Sequence, residues 1–215
     1  MKVFLFGATG STGYEILRRL VNDKHKVKVL IRNPAKLNIA ALKPENQQIE
    51  LIEGDVFQQE KFIPHFPGCD VVISALGTGK ENTYTEIYSE GGRNILSAMR
   101  KNGVKKLITI TSGLVDMSDP STDNFFLNRI VRPNYNKVYY DQTRWETILD
   151  DTKDIGWICV RPPNLLNKPF TGKYRVNLRH CPKGGWKISR ADVADFIVKQ
   201  IDSNEFVYQK PVVAY

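Results

Sequence analysis

The segment Gly7-Ala8-Thr9-Gly10-Ser11-Thr12-Gly13 has the residue types and spacing to hold a phosphate through the backbone. Gly7 permits a tight bend, and Gly10 with its neighbours Thr9, Ser11 and Thr12 lets the main chain approach a pyrophosphate. Gly13 lets a following helix pack close to the preceding strand. The free N–H groups and positive dipole end of that helix then face the anion. The spacing is G-x-x-G-x-x-G, not the G-x-G-x-x-G of the dinucleotide fingerprint. Further along, Arg32-Asn33 is followed by Lys36 one helical turn on. A guanidinium there forks well onto a phosphate, which a carboxylate would repel.

An alternation of strands and helices must position these residues. Lys2 to Phe6 reads as a buried parallel strand. After the glycines, Tyr14, Leu17, Leu20 and Val21 recur at helical spacing, with Glu15, Arg18 and Arg19 on the other face. The pattern predicts further strands at Lys26 to Ile31, Ile49 to Ile52, Asp70 to Leu76, Leu107 to Thr111 and Trp157 to Arg161. It predicts a short helix from Pro34 to Leu42 and a brief one from Lys61 to His65. A long amphipathic helix is expected from Tyr84 to Lys101, with Ile87, Ile95, Leu96 and Met99 inward and Asn102-Gly103 closing it. Asp123 to Val131 and Val138 to Leu149 also read as helical. Strand alternating with helix implies an α/β fold, a Rossmann-like doubly wound parallel sheet in a single domain over 1–215. A small substrate-side extension is expected over about 164–215. Within it, Thr171 to Leu178 suits a peripheral strand or hairpin, and Pro211 to Tyr215 an edge strand or core packing. Arg190 to Ile201 reads as the last helix, opened by the capping box Ser189-x-x-Asp192, so Asp192 is assigned to the helix start and not to catalysis.

In such a sheet, ligands sit outside the carboxyl ends of the strands, at the topological switch point. An enzyme using NAD(H) usually places an acid on the ribose 2′-OH after its second strand; Arg32 and Lys36 there argue for NADP(H). After the third strand, Asp55 is placed to accept from the adenine amino group and Val56 to wall it. After the fourth, Ala75-Leu76-Gly77-Thr78 has small residues where ribose and pyrophosphate must pass. Thr111-Ser112 after the fifth would lie near the nicotinamide, and Pro163-Asn164 after the sixth would close over it.

The chain resembles the atypical short-chain dehydrogenase/reductase families of the NmrA-like, NAD(P)H-binding type, and within them the biliverdin IXβ reductase / flavin reductase (NADPH) group. The matching stretches run from FGATGSTG (Phe6 to Gly13) through VLIRN (Val29 to Asn33), EGDV (Glu53 to Val56) and ALGT (Ala75 to Thr78). They continue with SEGGRNILSAM (Ser89 to Met99), NGVKKLITITS (Asn102 to Ser112), RPP (Arg161 to Pro163) and TGKYRV (Thr171 to Val176). The resemblance implies that Gly10, Thr12 and Gly13 hold the pyrophosphate, Arg32 and Lys36 the 2′-phosphate, Asp55 and Val56 the adenine, Leu76 and Gly77 the ribose. Ser112 would lie beside the nicotinamide, near substrate. Two departures stand out. The Tyr-x-x-x-Lys pair of ordinary short-chain dehydrogenases is missing, because in Tyr140-x-x-x-Arg144 the arginine stays protonated and cannot tune a tyrosine. The histidine that the biliverdin group carries after the two prolines is here Asn164, which hydrogen-bonds but supplies no proton.

These features lead to an NADPH-dependent reductase passing hydride to a flat conjugated acceptor such as a flavin, quinone or linear tetrapyrrole. Ser112 and Asn164 would orient the acceptor, and a proton would come from solvent. The alternative is a non-catalytic NADP(H)-binding redox sensor of the NmrA-like type. A sugar-nucleotide epimerase fits poorly, since it needs Tyr-x-x-x-Lys and a larger C-terminal region. Hydrophobic residues at 41% and charged residues at 25% describe an ordinary globular protein. The chain shows no signal pattern at its start and no apolar run near the roughly 20 residues of a membrane helix. The net charge of +8 is scattered without interleaved aromatics, so it steers an anionic ligand and does not specify nucleic acid. Cys69, Cys159 and Cys181 are odd in number and widely spaced, and His25, His65 and His180 share no ligand spacing. The expectations are a reducing cytoplasm, no metal site, and a monomer or weak dimer.

Overall fold

Lys2–Phe6 (β1) buries four successive residues, Val3 to Phe6, because both faces of this strand are covered. The structure is a computed structural model that describes residues 1–45, 48–79, 81–120, 125, 129–130 and 132–215. β1 pairs in parallel with Lys26–Ile31 (β2) and Val71–Ser74 (β4). Ile49–Glu53 (β3), Lys106–Ile110 (β5) and Gly156–Val160 (β6) complete a parallel sheet of order β3-β2-β1-β4-β5-β6. The order reverses between β1 and β4, which places the switch-point crevice beside the glycine loop.

Alternation along β1 feeds two cores. Val3 and Leu5 join Ile16, Leu17 and Leu20 of Ser11–Asn22 (α1) and Val193 and Ile197 of Arg190–Lys199 (α5). Phe4 and Phe6 face the other layer, where they stack on each other, Phe4 stacks on Phe66, and both meet Phe62 edge to face. Phe62 ends Gln59–Phe62 (α2), and Ser89–Asn102 (α3) and Arg132–Asp151 (α4) cover the rest of that face. Trp145 of α4 is 1% exposed and lies where a side chain at Gly92 would stand, only 2.3 Å from an ideal Cβ. Gly91 likewise makes room for Val56.

Several boundaries differ from expectation for identifiable reasons. The long helix starts at Ser89 and not Tyr84, because its cap comes from another helix. Asp141 of α4, fully buried, accepts from the N–H groups of Tyr88 (2.9 Å) and Ser89 (3.3 Å) and from the Ser89 hydroxyl. Asp141→Ala is expected to cost about 2 kcal/mol by leaving those donors buried and unpaired, read as a lower urea midpoint. An unchanged midpoint would mean that solvent caps α3 equally well.

The expected helix from Pro34 to Leu42 is two 3-10 turns, Pro34–Lys36 and Ala40–Leu42. Leu37 between them turns extended (φ −118°, ψ 111°), and its side chain is buried in the core beside α1. The brief helix near Lys61 begins at Gln59 and tightens into a 3-10 turn at Ile63–His65. The fifth and sixth strands lie one residue earlier than read, and the fourth stops at Ser74, where Ala75 turns into the glycine loop. The reading of Asp123 to Val131 as helical falls mostly outside the described residues.

The segment after Pro163 folds back over the domain. Asn164–Leu166 (β7) pairs in parallel with Lys187–Ser189 (β9), and Arg175–Asn177 (β8) pairs antiparallel with Val212–Ala214 (β10). The chain end runs along β6 through Cys159 N–H to Gln209 O (3.0 Å) and Arg161 N–H to Pro211 O (2.8 Å), which covers the sheet edge. Ser189 caps α5 by accepting from Asp192 N–H (3.0 Å). The Asp192 carboxylate in turn accepts from Thr171 N–H (2.9 Å), Gly172 N–H (2.8 Å) and the Tyr215 hydroxyl (2.6 Å), so this buried acid ties three segments together. Among the described residues, no helix is long and apolar enough to cross a membrane.

Candidate functional site

The three glycines of the first loop have different reasons to be glycine. Gly7 has φ +82°, and an added Cβ would lie 2.3 Å from Ala75 O, so the loops after β1 and β4 touch only because no side chain intervenes. An added Cβ at Gly13 would lie 2.1 Å from Gly7 O, which fixes how closely α1 approaches β1. Gly10 is different. Its φ of −73° suits any residue, and its added Cβ meets only Gly7 O at an ordinary 3.4 Å. Nothing in the protein itself requires glycine there, and the exposed space that it keeps clear is the space a pyrophosphate would take. No side chain caps α1 and its first turn carries no acid, so its leading N–H groups are left for an external anion.

The other predicted residues stand around the same rim. Arg32 and Lys36 follow β2 and are exposed, with Arg32 Nε 3.9 Å from Asp55 Oδ2 after β3. Asn33 Oδ1 accepts from Ala35 N–H (3.0 Å), shaping the turn that presents Lys36. Asp55 Oδ1 accepts from Phe57 N–H (3.0 Å), which holds its carboxylate in a local turn. Val56 is buried against Gly91, and its carbonyl accepts from Asn94 Nδ2 (3.0 Å). Ala75, Leu76 and Thr78 are half-buried and Gly77 is exposed, with Tyr88 packed beneath Gly77. The site residues after β1 to β4 are thus contiguous along the strand ends.

Beyond β5 and β6 the rim rests on a buried ionic cluster that the sequence reading does not identify. Thr111 Oγ1 donates to Glu146 Oε1 (2.7 Å), so the Thr111 hydroxyl turns inward. Arg161 forks onto Glu146 through Nε (2.9 Å) and Nη2, and reaches Asp116 at 3.5 Å. Burial alone would lower the Arg161 pKa, but the hydrogen bonds and charge of Glu146 raise it and keep the guanidinium charged. Burial, reinforced by Glu146, pushes the Cys159 thiol far up, so it is an inert packing group. The cluster sets the loops above it: Thr111 N–H donates to Val160 O (3.0 Å) and Gly113 N–H to Pro162 O (3.0 Å). Ser112 stays half-exposed, its Oγ accepting from Leu114 N–H (3.2 Å). Pro163 is buried, while Asn164 opens β7 with its side chain exposed. The signal that was available for the cluster was Arg161 itself, a charge closing an otherwise apolar strand.

Tyr140 is 66% exposed, and Arg144 is engaged with Glu86 and Glu90 at 3.6 Å each. Neither belongs to the rim chemistry. Trp145 faces the core. Among the described residues, no three His, Cys, Asp or Glu side chains cluster as a metal set.

Over 213 residues the chain is 24% identical to YwnB of Bacillus subtilis, an uncharacterised protein, covering 95% of this chain and 94% of that one. The oxidoreductase ylbE of Lactococcus lactis shares the fold with a TM-score of 0.79 at 18% identity, over 100% of this chain and 90% of that one. A candidate NADH-flavin reductase of Streptococcus pneumoniae does so with a TM-score of 0.76 at 20% identity, over 100% and 99%. Residues 7–204 match the profile of a family described as NAD(P)H-binding. The chain belongs to that NAD(P)H-binding family, whose cofactor is a nicotinamide dinucleotide.

Proposed function

We propose that the protein is an NADPH-dependent reductase of flat conjugated acceptors, such as flavins, quinones or biliverdin-like tetrapyrroles, working in the reducing cytoplasm. The observation that carries this reading is the composition of the rim above β5 and β6. Its named hydrogen-bonders are Ser112 and Asn164, while Tyr140 points to solvent and Arg144 is tied to two glutamates. Among the described residues, such a rim orients an acceptor and presents no tyrosine tuned by a neighbouring lysine, as alcohol and ketone chemistry would need. A bound nicotinamide supplies hydride, two electrons and one proton, to the acceptor ring. The second proton comes from solvent at an open site. The names of the Lactococcus lactis oxidoreductase and the Streptococcus pneumoniae candidate NADH-flavin reductase support the same class. Cys69 and Cys159 are buried free thiols, which fits a reducing compartment.

The test follows NADPH oxidation with FMN, riboflavin, a quinone and biliverdin, with NADH in parallel. Turnover that prefers NADPH is the expected result. Tight NADPH binding with no turnover on any acceptor would replace the reductase by a nucleotide sensor. For the cofactor preference, Arg32→Ala is expected to weaken NADPH by about 1.5 kcal/mol more than NADH, the low end for a charged hydrogen bond because the side chain is 76% exposed. Equal losses for both dinucleotides would show that Arg32 does not face the 2′-phosphate.

A further inference from the structure

The ground beside α1 has a second cationic wall. A cavity of about 580 Å³ opens over the start of α1, where Thr9 and Ser11 line it. Lys36 flanks it on the β2 side, and Lys168 and Arg190 flank it from the C-terminal segment. Its one lining carboxylate, Glu15, is engaged with Arg18 at 2.5 Å. Among the described residues, Lys36, Lys168 and Arg190 have no ion-pair partner.

Arg190 is the most telling of the three. Its Nη1 donates to Leu165 O (3.1 Å) and Asn167 Oδ1 (2.7 Å), while its Nε is buried with no partner. Burial lowers its pKa, and no neighbouring acid offsets that effect. A partly buried guanidinium without a counter-ion is destabilising until an anion arrives. Thr9 and Ser11, at the start of α1, line the same cavity.

We propose that this cavity receives the phosphate monoester on the adenosine ribose of NADP(H), and that Lys168 and Arg190 read it from the side opposite Arg32 and Lys36. The inference rests on the NADP(H) reading above and adds two specificity residues to it. Its geometric basis is the order of the rim. The adenosine end belongs to Arg32 and Asp55, and the pyrophosphate to the space over Gly10. A 2′-substituent then projects towards Lys36 and the outer side of α1, where the cavity opens. Lys36, Lys168 and Arg190 line the cavity, with Arg32 outside its lining, and their charges match a dianion in sign. The C-terminal segment thereby takes part in choosing the cofactor as well as in covering the sheet.

The experiment measures dissociation constants calorimetrically for adenosine 2′,5′-bisphosphate and 5′-AMP, whose ratio isolates the 2′-phosphate, and for inorganic phosphate. Wild type is compared with Lys168→Ala, Arg190→Gln and Lys36→Ala, each checked for its melting temperature. Lys168 is exposed and Arg190→Gln keeps a donor for Leu165 O, so both variants are expected to fold. Wild type is expected to favour the bisphosphate by at least about tenfold, and Lys168→Ala and Arg190→Gln to reduce that ratio about fivefold each. If only Lys36→Ala reduces it, the assignment of Lys168 and Arg190 is overturned while NADP(H) preference stands. If Lys168→Ala weakens inorganic phosphate but leaves the ratio intact, the cavity serves a separate anion and the assignment fails. A wild type with no preference for the bisphosphate overturns the NADP(H) reading and this inference with it.

Discussion

Glu146→Ala is expected to cost about 3–5 kcal/mol of folding stability, lowering the melting temperature by about 10 °C, because it strands Arg161 in the protein without its partner. Glu146 is 4% exposed and Arg161 9%, so solvent cannot rehydrate the orphaned guanidinium cheaply. Thr111 Oγ1 loses its acceptor in the same step. The effect should reach the rim as well, since Thr111, Gly113 and Pro162 hang on the strand ends that the pair joins. Thermal denaturation followed by circular dichroism measures the first effect, and NADPH titration the second. Removing both charges, as in Glu146→Leu with Arg161→Met, should recover much of the stability, since a well-packed apolar pair can replace a buried ion pair. A loss below about 1 kcal/mol for Glu146→Ala would mean that Arg161 re-pairs with Asp116, 3.5 Å away.

Gly10→Val should separate binding from folding. The substitution is expected to weaken dinucleotide affinity about a hundredfold, roughly 2.7 kcal/mol, while costing about 1 kcal/mol or less in stability. The folded chain tolerates a side chain here, because the backbone is extended and the added Cβ lies 3.4 Å from Gly7 O. A pyrophosphate passing over Gly10 would not tolerate one. Gly7→Ala should behave in the opposite way and destabilise the fold itself, since φ is +82° and Ala75 O lies 2.3 Å from the new Cβ. Fluorescence titration of NADPH beside a melting curve distinguishes the two. Wild-type affinity in Gly10→Val would place the pyrophosphate elsewhere.

How far the residues disclosed the fold depended on the range of the contacts involved. Strands β1, β4, β5 and β6 were legible because each is a short, nearly apolar run that both helical layers must cover, as in Val3 to Phe6 or Leu107 to Ile110. The start of α3 was not. Its cap is Asp141, separated by 52 residues from Ser89, and no local pattern around Tyr84 to Ser89 announces it. Nothing local marks Gly91-Gly92 as the place where Val56 and Trp145 enter the layer. Leu37 broke an expected helix because the core beside α1 had a place for its side chain.

The candidate site divides in the same way. The glycine loop, Arg32, Lys36, Asp55 and Ser112 could be placed on one rim from the chain because each lies within a few residues of a strand end, and a doubly wound sheet gathers strand ends on one side. Which glycine is kept for the ligand and which for the fold required the separation of Gly7 from Ala75 and of Gly13 from Gly7. The Glu146–Arg161 support beneath Thr111 and the Lys168–Arg190 wall beside α1 likewise come from segments far from the loops they serve. Backbone conformation and burial period are local and leave their mark on neighbouring residues. Charge pairing and cavity shape arise only when distant segments meet.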